Sequence, residues 1–331
     1  MKIFKTAIIF VSIIFLQSCT EIDTVSQQSS TGGLNEILIV TNNLNQWEGE
    51  IGDSLRTNFS RTMQILPLEE PQFKMVNVNE ASLGKQIFKK HHNIFIVNID
   101  TSIKDAFIET RKDLWAIPQM VIKINAPNAH EFLISFEEIR ENAFDYYIDT
   151  ERERIQKSYS NKFKNQKINR DLHKYMKIDM AIPKGYKIAK IDSSNAWIRK
   201  ETAANSMNIL IYIRPYKSTV DFEPANIIAR RNGLTRTYIP GPTAGSYQLI
   251  SEQYIPPVFK ELSFNEKFAV ETRGLWRVEN DFMGGPFISY TFVDEEKGRL
   301  ITVDGFTYAP KEKKAPLVRE LEAILWSIEL I

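Results

Sequence analysis

The sequence has one cysteine, Cys19, and four histidines among 331 residues, and these two scarcities remove much chemistry. A lone cysteine cannot make an internal disulfide, so the fold must be held by burial of its apolar residues, 43% of the chain. His91, His92, His130 and His173 form no His-Glu-x-x-His pattern and no Cys/His spacing, so neither metal nor cofactor is expected. Adjacent His91 and His92 point different ways on a helix or strand; they read as a capping or core pair, not a chelate. A net charge of +1 supplies no overall field towards nucleic acid or anionic lipid. No Gly-x-Ser-x-Gly elbow occurs; Thr243-Ala244-Gly245-Ser246 does not supply one. Gly49 and Gly52 follow a strand but lack the remaining residues of a phosphate loop. Of the neighbouring acids Glu69-Glu70, Glu137-Glu138 and Asp294-Glu295-Glu296, the second pair on a helix and the third group in a turn read as solvated surface, and none is marked out as a general acid.

Long apolar runs are missing too. The longest, Ala7 to Leu16, is broken only by Ser12 and falls well short of the roughly twenty residues of a spanning helix. It follows Lys2 and Lys5 and ends in Leu16-Gln17-Ser18-Cys19, the layout of a signal peptide with a small residue before the cut. Leu-Gln-Ser-Cys resembles the bacterial lipobox, with Gln17 where a small residue is commoner. The resemblance implies cleavage before Cys19 and acylation of its sulfur, so residues 1–18 are the signal and the membrane is a partner through lipid on Cys19. Thr20 in place of an aspartate favours the outer membrane, with the protein facing the periplasm or the cell surface.

Residues 19–33 are poor in apolar side chains and read as a flexible tether. Over residues 34–127 short β-branched runs (Glu36–Val40, Gln72–Asn79, Asn93–Ile99, Gln119–Asn125) alternate with helical stripes such as Trp47, Ile51, Leu55 and Phe59, with Asp53 a possible N-cap. That alternation predicts an α/β domain with a helix-covered mixed sheet. Residues 128–176 then keep helical spacing from Phe132 to Phe163 behind the cap Asn128, a long connecting helix. Its end, Glu151 to Lys177, carries nine Lys/Arg against three acids and reads as a solvated helix face, with no nucleic-acid partner. Residues 177–331 predict an α+β domain: strands near Asp179–Tyr186, Trp197–Glu201, Met207–Tyr212, Phe268–Val278, Phe287–Val293 and Leu300–Tyr308. A helix over Phe222–Arg231 stops at Asn232-Gly233, a long loop fills Tyr238–Pro257, and a last helix carries Leu317 to Ile328. The fold class is therefore α/β plus α+β, with a mixed sheet, then an antiparallel-sheet sandwich, joined by a long helix. Trp276, Phe282, Phe287 and Tyr290 flank a Gly/Pro turn and are the candidate ligand groove.

Several segments together resemble a known family. They are the lipobox, Asn35-Glu36-Ile37-Leu38-Ile39-Val40, Gly52-Asp53-Ser54-Leu55-Arg56, Leu66-Pro67 with Glu70-Pro71, His92-Asn93-Ile94, Trp115-Ala116-Ile117-Pro118-Gln119 and Val303-Asp304-Gly305-Phe306. The chain is similar over essentially its whole length to an uncharacterised lipoprotein family of Bacteroidota, domain of unknown function 4837, which implies no activity. The second half also resembles PsbP-like α/β/α sandwiches through Ile182-Pro183-Lys184-Gly185-Tyr186, a Trp-bearing strand and a final Leu325-Trp326-Ser327-Ile328. The expectation is a lipid-anchored, non-enzymatic binding or assembly module with an envelope protein or glycan as partner. The alternative is a periplasmic hydrolase acting on glycan or peptide.

Overall fold

A strand such as Glu36–Thr41 (β1), apolar on both faces, needs cover on both sides. The computed structural model, which describes residues 28–160, 163–253 and 255–331, provides it. The expected signal peptide, Cys19 and the expected tether up to residue 27 lie outside the described residues. After β1 come α1 (Leu44–Glu48), α2 (Glu50–Phe59), β2 (Lys74–Asn79), α3 (Glu80–Leu83), α4 (Gln86–Lys89), β3 (Asn93–Ile99), β4 (Phe107–Lys112) and β5 (Met120–Ala126). The sheet order is β2-β1-β3-β5-β4, parallel except for β4. Ile37 and Ile39 pack under α2 and α5 (Ala129–Ser160), while Leu38 and Val40 pack with Leu83 and Phe88 on the opposite face. Phe59 sits at the centre of the first cluster, edge-on to Phe95, Phe136 and Tyr147 at 5.5–5.7 Å.

Three expectations change in this half. The second helix starts at Glu50, ahead of Asp53, and takes in Gly52: a Cβ there would lie 1.7 Å from the Trp47 carbonyl oxygen, so only glycine permits the α1–α2 turn. Strand β4 was not expected, because Phe107–Lys112 is an exposed, charged edge strand without an apolar face. Residues 28–33 of the expected tether are joined to the domain by bridges from Ser29 to Ile117 and from Thr31 to His91.

The long helix is present as α5, capped by Asn128, whose side chain accepts the Glu131 amide at 3.0 Å. It does not run to residue 176. A separate helix, α6 (Gln166–Met176), begins at the Asn165 cap and ends at Lys177 in the left-handed conformation (φ 58°). There follow β6 (Ile178–Asp179), β7 (Lys187–Ile191), β8 (Asn195–Glu201), β9 (Ser206–Pro215), α7 (Pro224–Tyr238), β10 (Gln248–Ser251), β11 (Val258–Phe264), β12 (Lys267–Val278), β13 (Gly284–Asp294), β14 (Arg299–Tyr308), α8 (Ala315–Leu325) and β15 (Glu329–Leu330). An antiparallel sheet runs β10-β12-β13-β14-β9-β8-β7, with β11 also on β12, and β6 pairs only with β15. Helix α8 packs on Ile209, Ile288 and Val303, and α7 covers Leu210, Phe287 and Phe306 on the other face. Gly305 lets α8 settle close, since a Cβ there would sit 3.0 Å from that of Leu321. Asn232-Gly233 does not stop α7; the Asn232 side chain instead accepts the Ile250 amide, and the helix continues to Tyr238. Among the described residues no helix is long and apolar enough to cross a membrane.

Because Phe59 fills the centre of the first core, Phe59→Ala should lower stability by about 3–5 kcal/mol. An unchanged urea midpoint for the first domain would contradict that packing.

Candidate functional site

Helix α5 leaves the first sheet and lies along α8, so side chains from both halves meet at one buried, charged junction. Its hub is Arg319 on α8, 2% exposed. Its Nη1 donates to Glu322 Oε2 at 2.7 Å, Nη2 to Gln72 Oε1 at 2.7 Å and Nε to Asn35 Oδ1 at 3.2 Å. A buried guanidinium is tolerable only when its donors are met, and here two of three acceptors come from the first domain. Glu70 ties the halves a second time: its carboxylate accepts the Lys314 and Ala315 amides at 2.8 and 2.9 Å, at the start of α8. Glu70 is itself buried, at 7% exposure.

Glu322 lies 3.5 Å from Arg273 and 3.7 Å from Arg152 as well as against Arg319. Burial alone would raise its pKa; Arg319, then Arg273 and Arg152, reverse this and hold it at about 2. Arg273 also clamps Glu271 at 2.7 and 3.2 Å, and the Tyr290 hydroxyl donates to Glu271 Oε2 at 2.9 Å. Burial, then Glu271 and Glu322, push the Tyr290 phenol well above its ordinary range. The Arg152 guanidinium carbon lies over the Trp326 ring, 3.8 Å from its centroid. Beyond this network a cleft of about 880 Å³ opens between the domains, lined by Arg61, Phe144 and Asp145 on one side and Lys260, Glu266 and Trp326 on the other.

A second cluster sits where residues 28–33 meet α5. The stacked rings of His91 and His92 (4.7 Å between centroids) face this strap. His92 Nδ1 lies 2.8 Å from the Thr31 carbonyl oxygen, which can only accept, so this nitrogen carries the proton. His92 Nε2 lies 2.5 Å from Glu151 Oε2, both side chains fully buried. Glu151 also accepts from Arg154 at 3.0 Å, and Arg154 reaches the carbonyls of Gly32 and Gly33 at 3.3 Å. Burial raises the Glu151 pKa, but His92 and Arg154 overcome it and leave the carboxyl below its ordinary value. Burial and the neighbouring His92 lower His91. Gly32 has φ +110°, and a Cβ there would lie 2.6 Å from His91 Nε2, so the strap needs glycine at this point.

Some of the residues that carry the family resemblance lie at these clusters. Asn35 and Glu70 hold Arg319 and α8, His92 holds the strap, and Gln119 donates to the Lys89 and His91 carbonyls at 2.6 and 2.8 Å. Both halves match domains of unknown function. Residues 164–327 match the family model "Domain of unknown function (DUF4837)" and residues 30–160 match "Domain of unknown function (DUF8532)". The first of these therefore does not span the whole chain as expected, and the division falls between α5 and α6. No curated protein matches the chain. Among solved structures, a point mutant of the protein Mog1 aligns at 8% identity and TM-score 0.30, over 47% of this chain and 91% of its own. The Saccharomyces cerevisiae Ran-binding protein Mog1p aligns at 7% and 0.31, over 46% and 90%. LpqN of Mycobacterium tuberculosis, described as involved in cell envelope biogenesis, aligns at 14% and 0.28, over 46% and 82%.

Within the DUF4837-matched half, the four aromatics of the expected groove do not come together. Trp276 and Phe287 are buried under α7, Tyr290 is buried on the opposite sheet face beside α8, and Phe282 is fully exposed at the β12–β13 tip. Alternation along a strand separates them: Phe287 and Tyr290 are three residues apart and therefore point to opposite faces. Trp276 donates to the Thr307 carbonyl at 3.2 Å and Phe287 packs under Arg231 at 4.0 Å. Asp294, also expected on the surface, is 2% exposed and held by Arg299 at 2.7 and 2.9 Å, whereas Glu137 and Glu138 are exposed. Cys19 lies outside the described residues. The junction residues Arg319, Glu322, Glu271 and Arg273 carry no local motif; the one usable signal was charge at positions interrupting apolar stripes.

Glu322→Gln removes the counter-charge shared by three arginines and should cost about 3–5 kcal/mol. With a folded pKa of about 2 against an ordinary 4.5, Glu322 contributes stability above pH 4.5 and loses that contribution as pH falls towards 2. Acid unfolding of the variant should therefore be shallower across that window; curves of equal slope would contradict the assignment.

Proposed function

We propose that this protein is a lipid-anchored cell-envelope lipoprotein, acylated at Cys19, that works as a non-enzymatic binding or assembly module. The interdomain cleft is its binding surface, and an envelope protein or glycan is its partner. The observation that carries this reading is the state of the cleft's inner carboxylates. Glu322 is held ionised by three arginines, and Glu271 is occupied by Arg273 and Tyr290. General-acid catalysis of glycan cleavage needs a carboxyl with a raised pKa; Glu322 is shifted the other way, and Asp145 on the cleft wall, raised by burial, is the acid the hydrolase reading would use. Pre-paired charges on a fixed wall suit recognition instead: they present oriented donors and acceptors with little ordering cost when a polar partner docks.

The hydrolase reading puts the same cleft to catalytic use, and one comparison separates the two. Purified protein should release no product from envelope glycan or peptide, and a photocrosslinker at Lys260 should capture one discrete partner in native envelope. Turnover abolished by Glu271→Gln in a folded protein would overturn the binding reading. Cys19→Ala should move the mature protein from the membrane fraction to the soluble fraction; unchanged retention would overturn the anchor.

A further inference from the structure

The strap fixes where the described residues meet the segment that leads to Cys19. The Ile117 amide donates to the Gln28 carbonyl at 3.0 Å, and the Ser30 amide to the Ile117 carbonyl at 3.1 Å. Gln28 therefore sits against the 113–118 loop, beside α4, whose C-cap Lys90 meets the strap through its carbonyl, which accepts the Thr31 amide at 2.8 Å. These two segments present an unusual surface. Ile87 is 68% and Leu114 42% exposed, and Trp115 is half-buried with Lys89 Nζ 6.0 Å from its ring centroid. On the same segment Lys85 is exposed and Lys89 and Lys90 are half-buried, and among the described residues none of the three forms an ion pair with a carboxylate. The acids at the border are engaged: Glu153 pairs with Lys112 and Lys157, Glu36 with His91, and Asp113 accepts the Gln119 amide.

Exposed aliphatics, a tryptophan and uncompensated lysines on one surface make the composition of a membrane-interface contact. Nine residue steps separate Gln28 from Cys19, a reach of at most about 32 Å. We propose that this face, α4 together with the 113–117 loop, rests on the anionic phospholipid headgroups of the membrane that holds Cys19. Ile87, Leu114 and Trp115 enter the headgroup boundary, and Lys85, Lys89 and Lys90 meet the phosphates. The whole-chain charge of +1 does not oppose this, because attraction at a headgroup surface acts within about a Debye length and only the local face counts. The contact rests on the proposed anchor at Cys19, and it fixes the orientation of the interdomain cleft relative to the bilayer.

The single cysteine allows a test independent of cellular acylation. The mature chain is coupled through Cys19 to a maleimide-headgroup lipid in vesicles, either of phosphatidylcholine alone or of equimolar phosphatidylcholine and phosphatidylglycerol. Amide hydrogen exchange at residues 86–90 and 111–117 should slow on the phosphatidylglycerol vesicles only, and the protection should fade at high salt. The triple variant I87S/K89A/K90A, still coupled, should lose it while exchange in the sheet cores stays unchanged. Uncoupled Cys19→Ser protein should bind these vesicles weakly, losing roughly fivefold in affinity per lysine removed. Equal exchange on both vesicle types, protection centred elsewhere, or protection retained by the variant would each overturn the contact. None of these outcomes depends on whether the cell acylates Cys19, which the Cys19→Ala fractionation reads separately.

Discussion

A buried guanidinium with every nitrogen satisfied is the constraint on which this architecture turns. Arg319 belongs to the last helix, yet Asn35 and Gln72 of the first domain are two of its three acceptors. Separating the halves would strand that charge in an apolar site, or expose α8 and the core it covers. Glu70 adds to the same constraint, because the first amides of α8 have no acceptor within their own helix. Two domains that look independent along the chain are thereby fixed against each other, and the cleft beside the junction has rigid walls.

Helix α5 links that junction to the point where the chain enters the fold. Glu151 faces His92, Arg152 faces Glu322 and Trp326, and Arg154 reaches the strap carbonyls, all within one turn. The charge excess between Glu151 and Lys177 therefore splits into two parts. Its beginning is structural: Arg152 and Arg154 are 15% and 20% exposed, and Glu151 is fully buried. The cap at Asn165 then starts a separate helix whose Ile168, Leu172 and Met176 join the second core. Strap, junction and cleft are thus neighbours, so the position of the strap bears on how the cleft meets its surroundings.

Other buried charges are paired in the same way. Glu271, Arg273 and Tyr290 occupy one another, and Arg231 with Asp304 forms a fully buried pair beneath α7 at 2.7 Å. Such pairs fix geometry, because separating them would strand either charge in the apolar interior.

The residues alone determined the division into an α/β half and an α+β half, the Asn128 cap, both sheet types and the final amphipathic helix. Each of these rests on local periodicity or capping, which a chain displays whatever its partners. Edge strand β4 escaped because an exposed, charged strand has no apolar face to reveal it, and α7 ran past Asn232-Gly233 because a tertiary hydrogen bond to Ile250 outweighed a local stop signal. The expected aromatic groove failed for a related reason: nearness in sequence says nothing about which sheet face a side chain takes, and Trp276 and Tyr290 lie on opposite ones. Only the tertiary structure brought Asn35, Glu70 and Gln72 to α8, and His92 to Glu151 on α5. Those contacts span some sixty to nearly three hundred residues, and no local pattern encodes which buried charge will find which partner.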